Sequence, residues 1–311
     1  MFFLSPSDDD IQDHHVGDFR GYVRNLISKS SRVLEIGPSY MPVFPRRDGY
    51  DVSIVDHASA AELREKYAAL KVDTSFIEDV DFVWAGEPLS ELVQGSSFEV
   101  VFASHVVEHM TNFIQFINES SKLLRPSGKL ILIVPDKRFC FDIFQSLTDT
   151  AKTLEDDFSN ASRHSLSALY REESQATARY DQKDLIAWWQ GFVMDVNMMR
   201  SDPISRYNSS KSAVQGTEYV DAHEYFFTPS SFYLIMEELR FLRMTQMKVE
   251  LLTRARGCEF LVILEHRAYV DESVSRFQSM KKELSLNIMR EQIEAWEKLA
   301  PLSRPFDRSL V

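Results

Sequence analysis

Cysteine is nearly absent from the 311-residue chain: Cys140 and Cys258 are the only two, far apart in sequence. Such a pair excludes a disulfide framework, and a reducing cytoplasm is the expected setting. Glycine is sparse at 10 residues, and the G-x-G-x-x-G run that cradles a dinucleotide pyrophosphate is missing, because Gly37 is followed by Pro38, Ser39 and Tyr40. No apolar stretch approaches the roughly 18 residues that a membrane helix needs. The opening MFFLSPSDDD has no basic n-region, so it is not expected to be a secretory signal. Positive charge is in the minority, with 35 Lys and Arg against 47 Asp and Glu and a net charge of -12. An acidic surface repels phosphates, which argues against nucleic acid or anionic lipid as partner. No internal repeat or low-complexity tract stands out.

What the chain does have is an alternation of β-rich runs and helical patterns. RVLEIG (32–37), DVSIVD (51–56), VDFVWAG (80–86), FEVVFAS (98–104) and KLILIVP (129–135) read as strands. The last is apolar enough to be covered on both faces. Helical patterns separate them at 58–70, 88–93 and after Thr111, which looks like an N-cap, with RPSG (125–128) expected to stop that helix. Strands alternating with helices predict a mostly parallel sheet with helices on both sides. RMTQMKVELL and CEFLVILEH flank TRARG as an antiparallel hairpin that brings the sheet to seven strands. Residues 138–222 interrupt the rhythm with a polar insertion that contains an aromatic helical patch, DLIAWWQGFVMDV (184–196). The expected division is a cofactor-binding core over 1–137, a helical acceptor cap over 138–222, the end of the core over 223–268 and a helical tail over 269–311. Along that tail Phe277, Leu284, Ile288, Ala295 and Leu299 share one side, for packing on its own domain or docking a second copy or partner.

In an open parallel sheet, ligands bind beyond the C-terminal strand ends where strand order reverses. Gly37 lets backbone approach a ligand there, and Glu35 beneath the turn accepts from backbone amides or a cationic ligand group. Asp56 closes the second strand 19 residues after Gly37, about where a ribose-reading acid is expected. The loop PSYMPVFPRR, with three prolines, reads as irregular. A pyrophosphate needs a helix N-terminus, so a nucleoside without phosphates suits this loop better.

In this order and spacing, VLEIGPS, VDH, FEVVFASHVVEH and LLRPSGKLILIVPD resemble class I S-adenosylmethionine-dependent methyltransferases. PDKR and FTPSSF are similar to segments of methyltransferase-domain proteins that accompany bacterial cell-surface polysaccharide biosynthesis. The resemblance implies a Rossmann-like, doubly wound α/β fold whose last strand is antiparallel, with a largely helical insertion after the fifth strand and a C-terminal helix. It implies S-adenosylmethionine as cofactor and a small-molecule or sugar-type acceptor methylated on oxygen or nitrogen. Residue by residue, Glu35, Gly37 and Pro38 would hold the methionine part, and Asp56 with His57 the ribose. Trp84, Ala85 and Gly86 would border the adenine, and Ser104 and His105 would line the sulfonium. The chain departs from the family's pattern in lacking the later glycines of the first turn and in having Ala85 where an acid often stands, with Glu87 nearby.

The string SHVVEH also spells H-x-x-E-H, a zinc-peptidase ligand pattern. That chemistry needs His105 and His109 one turn apart on a helix, whereas the β-like run before His105 puts both in a strand–helix turn; no metal is expected. A hydroxyl or ammonium acceptor must lose a proton, and the candidate bases are His109, His223 and Asp136. Lys137 and Arg138, with Arg46 and Arg47, would give a basic rim for a phosphorylated acceptor. The rival readings are a non-catalytic partner of the same fold, a nicotinamide-dependent oxidoreductase and a zinc hydrolase.

Overall fold

A computed structural model describes residues 18–95, 97–179, 196–198 and 202–299. Seven strands form one sheet in the order β3-β2-β1-β4-β5-β9-β8. They are β1 (Arg32–Ile36), β2 (Asp51–Asp56), β3 (Phe82–Val83), β4 (Phe98–Ser104), β5 (Leu124–Pro135), β8 (Met247–Leu252) and β9 (Glu259–His266). β1 pairs in parallel with both β2 and β4, so strand order reverses there; β9 alone runs antiparallel, against β5 and β8. This is the doubly wound, mostly parallel architecture that the strand pattern predicts. A short pair, β6 (Thr177–Arg179) with β7 (Val196–Met198), lies in the insertion.

Each helix starts where its sequence provides a cap. Asp18 caps α1 (Phe19–Leu26). Ser59 forms a capping box with Glu62 at α2 (Ala60–Ala69), ahead of the single turn α3 (Leu89–Leu92). Asn112, rather than Thr111, caps α4 (Phe113–Lys122), because its side chain reaches the amide of Gln115 at 2.9 Å. Nor does R-P-S-G stop this helix. Leu123 caps it, and β5 already runs through Arg125–Gly128, with a register shift against β4 between Phe98 and Val100. In the insertion, Asp149, Ser165 and Asp202 cap α5 (Thr150–Phe158), α6 (Leu166–Ser174) and α7 (Pro203–Gln215). The predicted aromatic helix falls at residues 184–195, outside the described residues, and Val196 opens β7. Thr228 caps α8 (Pro229–Phe241), with Pro229 in its first turn.

The sheet is covered on both faces. On one, Phe113, Ile117, Tyr225, Phe227, Phe232 and Ile235 pack on Leu34, Val101, Leu132 and Val262. On the other, Phe19, Val23, Val43 and Phe44 pack on Val33, Ile54, Phe102 and Ile131. Each large side chain so buried contributes about 1.5–3 kcal/mol. The C-terminal helix α9 (Val274–Leu299) lies along α8, with Phe277 stacked on Phe241 at 3.9 Å between ring centroids and Leu284 buried. Its outer side leaves Leu286, Met289, Ile293 and Trp296 exposed. Among the described residues, no helix is long and apolar enough to cross a membrane.

At the C-terminal end of β5, Asp136 is fully buried, and the guanidinium of Arg138 holds it through two hydrogen bonds of 2.9 and 2.6 Å. Arg138 is itself 5% exposed and donates to the carbonyl of Glu291 on α9. Removing one partner of a buried pair strands the other charge, at a cost of about 3–5 kcal/mol. Arg138→Met is therefore expected to lose about that much in urea unfolding, and Asp136→Asn with Arg138→Met to regain most of it. A loss below about 1 kcal/mol in the single variant would show that the pair does not anchor this edge.

Candidate active site

The turn after β1 makes one wall of the crevice at the strand reversal. Gly37 has φ +67°, and a Cβ on it would lie 2.8 Å from Cγ2 of Val106 in the turn after β4. Only glycine lets these two turns meet. Ser39 is also left-handed, at φ 51°. Residues 37–45 contain no helix, so this turn points no helix N-terminus at a phosphate.

Two buried carboxylates hold the turn. Glu35 accepts from the amides of Val43 and Phe44 at 2.6 and 3.1 Å, so both oxygens face the loop rather than a ligand. Burial pushes its carboxyl up to about 7 against the pull of those amides. Asp56, 1% exposed, accepts from the amides of Ser39 and His57 at 2.9 and 2.8 Å, and Nδ1 of His57 lies 2.7 Å from it. Its carbonyl takes the amide of Trp84 at 2.8 Å, which draws the third candidate segment to the same edge. There the Trp84 indole donates to the carbonyl of Glu87, and Glu87 accepts from the amide of Ala85. Gly86, at φ +105°, faces open space.

β4 ends at Ser104, and His105 follows with φ 54°, which breaks the strand. Nε2 of His105 meets Glu259 at 2.7 Å, and Arg20 reaches both Glu259 and the Ser104 hydroxyl. Val107–His109 then form one 3-10 turn. His105 and His109 consequently turn apart: Nδ1 of His109 meets Asp221 at 2.9 Å. The H-x-x-E-H pair is not assembled as a helical ligand set.

What the structure assembles instead draws on a strap, residues 221–228, that returns from the insertion. The amides of Glu224 and Tyr225 donate to the carbonyl of Glu108, and the carbonyls of Phe227 and Phe226 accept from Lys137 and Thr148. The strap is thereby fixed between the turns after β4 and β5. It sets the rings of His223 and His109 4.5 Å apart, edge to face. Nδ1 of His223 lies 2.7 Å from Asp142. Burial opposes the charge on His223, but Asp142, with Glu108 and Glu172 near, raises it to about 9. Beside it, burial works against ionisation of Glu224, yet His164, Lys152 and Ser165 together bring its carboxyl down to about 2.

The three predicted bases therefore differ. Asp136 is occupied by Arg138, His223 holds a proton at neutral pH, and His109 is oriented by Asp221 with Nε2 free. The predicted basic rim is not formed. Lys137 is buried, with its ammonium on the carbonyl of Ile143, Arg138 is buried on Asp136, and Arg46 pairs with Asp81. Sequence reasoning missed Asp142 and Asp221, which lie within the 138–222 stretch read as a polar insertion. One group joins the two halves of the site. Burial raises the Tyr67 hydroxyl, Ser39 draws it back, and the charges of Asp56 and Asp221 both add to the rise.

Residues 14–239 match a family model described as a methyltransferase domain. No curated protein matches the chain. Among solved structures, the CcbJ methyltransferase from Streptomyces caelestis is similar, at 12% identity over 80% of this chain and 93% of that one, TM-score 0.42. A S-adenosylmethionine-dependent methyltransferase from Clostridium acetobutylicum has 11% identity over 85% and 95%, TM-score 0.39. One from Methanosarcina mazei has 15% identity over 79% and 96%, TM-score 0.40.

Two outcomes follow from this geometry. Gly37→Ala should cost about 1–3 kcal/mol in urea unfolding, and adding Val106→Ala should relieve the contact but not the backbone strain. If Gly37→Ala unfolds like the wild type, the two turns do not meet as described. For Glu224, a folded value of about 2 against 4.5 means stability present above pH 4.5 and lost as pH falls through 2. The contribution is about 3 kcal/mol near neutrality, and roughly half of it remains at pH 3. The stability gap between wild type and Glu224→Gln should narrow accordingly from pH 6 to pH 3; a constant gap would refute the linkage.

Proposed function

Because the chain belongs to the methyltransferase-domain family, we propose that it moves the methyl group of S-adenosylmethionine to an oxygen or nitrogen of a small-molecule or sugar acceptor. Cell-surface polysaccharide assembly is the setting that the PDKR and FTPSSF segments suggest, with the protein in the cytoplasm. A second copy or partner would meet the outward side of α9. The observation that carries the reading is the turn after β1, where Gly37 at φ +67° and the buried Asp56 stand at the strand reversal.

The residues present fit the cofactor. Left-handed glycines stand at two of the strand ends, with open space at Gly86, and a buried acid lies between them. The loop lacks a helix N-terminus, as suits a nucleoside without phosphates. S-adenosylmethionine supplies a methyl group already activated on a sulfonium. Asp56 would accept the ribose hydroxyls by exchanging its contacts with Ser39 and His57, and Gly37 and Pro38 would admit the methionine part. Trp84 to Gly86 would border the base, with Ser104 and His105 at the wall where β4 ends. Nε2 of His109, its ring held by Asp221, would take the acceptor's proton, and the rest of catalysis is alignment at near-attack distance.

Calorimetry with S-adenosylmethionine and its demethylated product tests the reading. Asp56→Ala should weaken binding about 10–100-fold, the worth of one or two hydrogen bonds to a charged group. His109→Ala should leave binding intact while turnover falls about 100-fold or more. A folded wild-type protein that binds neither compound overturns the proposal.

A further inference from the structure

Glu108 and His109 lie in the 3-10 turn after β4, and His223 lies in the returning strap. One oxygen of Glu108 and one ring nitrogen of each histidine all fall within 4.8 Å of one another. We propose that Glu108, His109 and His223 form a binding site for a divalent first-row transition-metal cation. Metal-binding as such does not depend on the methyl-transfer reading.

The argument begins with Glu108. It is 1% exposed, and neither carboxylate oxygen has a hydrogen-bond partner among the described residues. Nδ1 of His105 lies 3.7 Å from Oε1 of Glu108, too far for a hydrogen bond. A buried carboxylate without a partner costs several kcal/mol, and a cation placed between its oxygens and the histidines removes that cost.

The histidines are oriented for ligation. Nδ1 of His109 is held by Asp221 at 2.9 Å, and Nδ1 of His223 by Asp142 at 2.7 Å. Each pairing leaves Nε2 to the ion, the arrangement of a carboxylate–histidine–metal triad on both rings, and binding displaces the Nε2 proton of His223. Nε2 of His109 is 3.9 Å from Oε1 of Glu108. Bonds of about 2.0–2.2 Å put donor atoms about 3.0–3.5 Å apart, so closure on an ion needs a contraction of about 1 Å.

The donor set names the class of ion. Two imidazoles and one carboxylate suit zinc, iron(II), cobalt or manganese and leave coordination positions open, whereas calcium and magnesium prefer all-oxygen sites. His109 is partly exposed, so the cluster has a route to solvent. With the ion in place, His109 is a ligand and the ion would polarise an acceptor hydroxyl; that role alone rests on the methyl-transfer reading.

Metal-stripped protein should be titrated with Co2+ by visible absorption and with Zn2+ by calorimetry, without S-adenosylmethionine. One equivalent of each is expected to bind. Glu108→Gln and His223→Gln should each weaken binding at least about 100-fold, and Asp142→Asn, which only positions a ligand, about 10–100-fold. His109→Asn, at a partly exposed position, provides the test if Glu108→Gln fails to fold. No stoichiometric uptake, uptake unchanged in the variants, or binding of Mg2+ in preference to Co2+ overturns the proposal. S-adenosylmethionine binding measured on the same samples separates the two readings: cofactor binding without Co2+ overturns only the metal site, and Co2+ binding without cofactor overturns only methyl transfer.

Discussion

Buried negative charge at the C-terminal edge of the sheet is the constraint on which the rest of the structure depends. Glu35, Asp56, Glu108, Asp136, Asp142 and Glu259 are all buried there. A carboxylate out of water needs hydrogen-bond donors or a counter-charge, or it shifts toward its neutral form. These residues are answered in four ways, and the answers define their roles. Glu35 and Asp56 are met by loop amides and so shape the first turn. Asp136 and Glu259 are met by Arg138 and Arg20, which fasten α9 and α1 to the sheet. Asp142 is met by His223. Glu108 has no hydrogen-bond partner among the described residues, and it stands beside both histidines.

This distribution separates scaffold from chemistry more sharply than residue type does. Asp136 and Arg138 are as polar as any active-site pair, but they saturate each other. His109 meets Asp221 through Nδ1 alone, and Asp56 is met by two loop amides at the strand reversal. The crevice lies where β1 and β4 diverge, as expected for an open α/β sheet.

Much of the fold was legible because it rests on local pattern. β2 and β4 end where their apolar runs end, and the hairpin flanks TRARG. The start of β5 was not legible, because Pro126 and Gly128 read as a stop, whereas the bulge against β4 accommodates them. Gly37 and Asp56 could be picked out at strand ends, His109 between the β4 run and the next helix, and His223 ahead of the FTP helix start. Their partners could not. Asp142 and Asp221 lie at the two ends of the stretch read as a polar insertion, and only the path of the strap shows that they orient histidines. Arg138 looked like a rim residue because spacing says nothing about burial, and its neighbour two positions back decides the matter.

The path of that strap has a consequence for how such a protein can diversify. Asp142 stands where the insertion leaves the sheet, and Asp221 and His223 stand where it returns, each tied to core backbone or to a core side chain. The charged fittings are not confined to the two stems, because Lys152, His164 and Ser165 hold Glu224 of the strap and Glu172 accepts from the amide of His223. A change in length or sequence between the stems is therefore tolerated only where these contacts survive, since they help to deliver the histidine to its place.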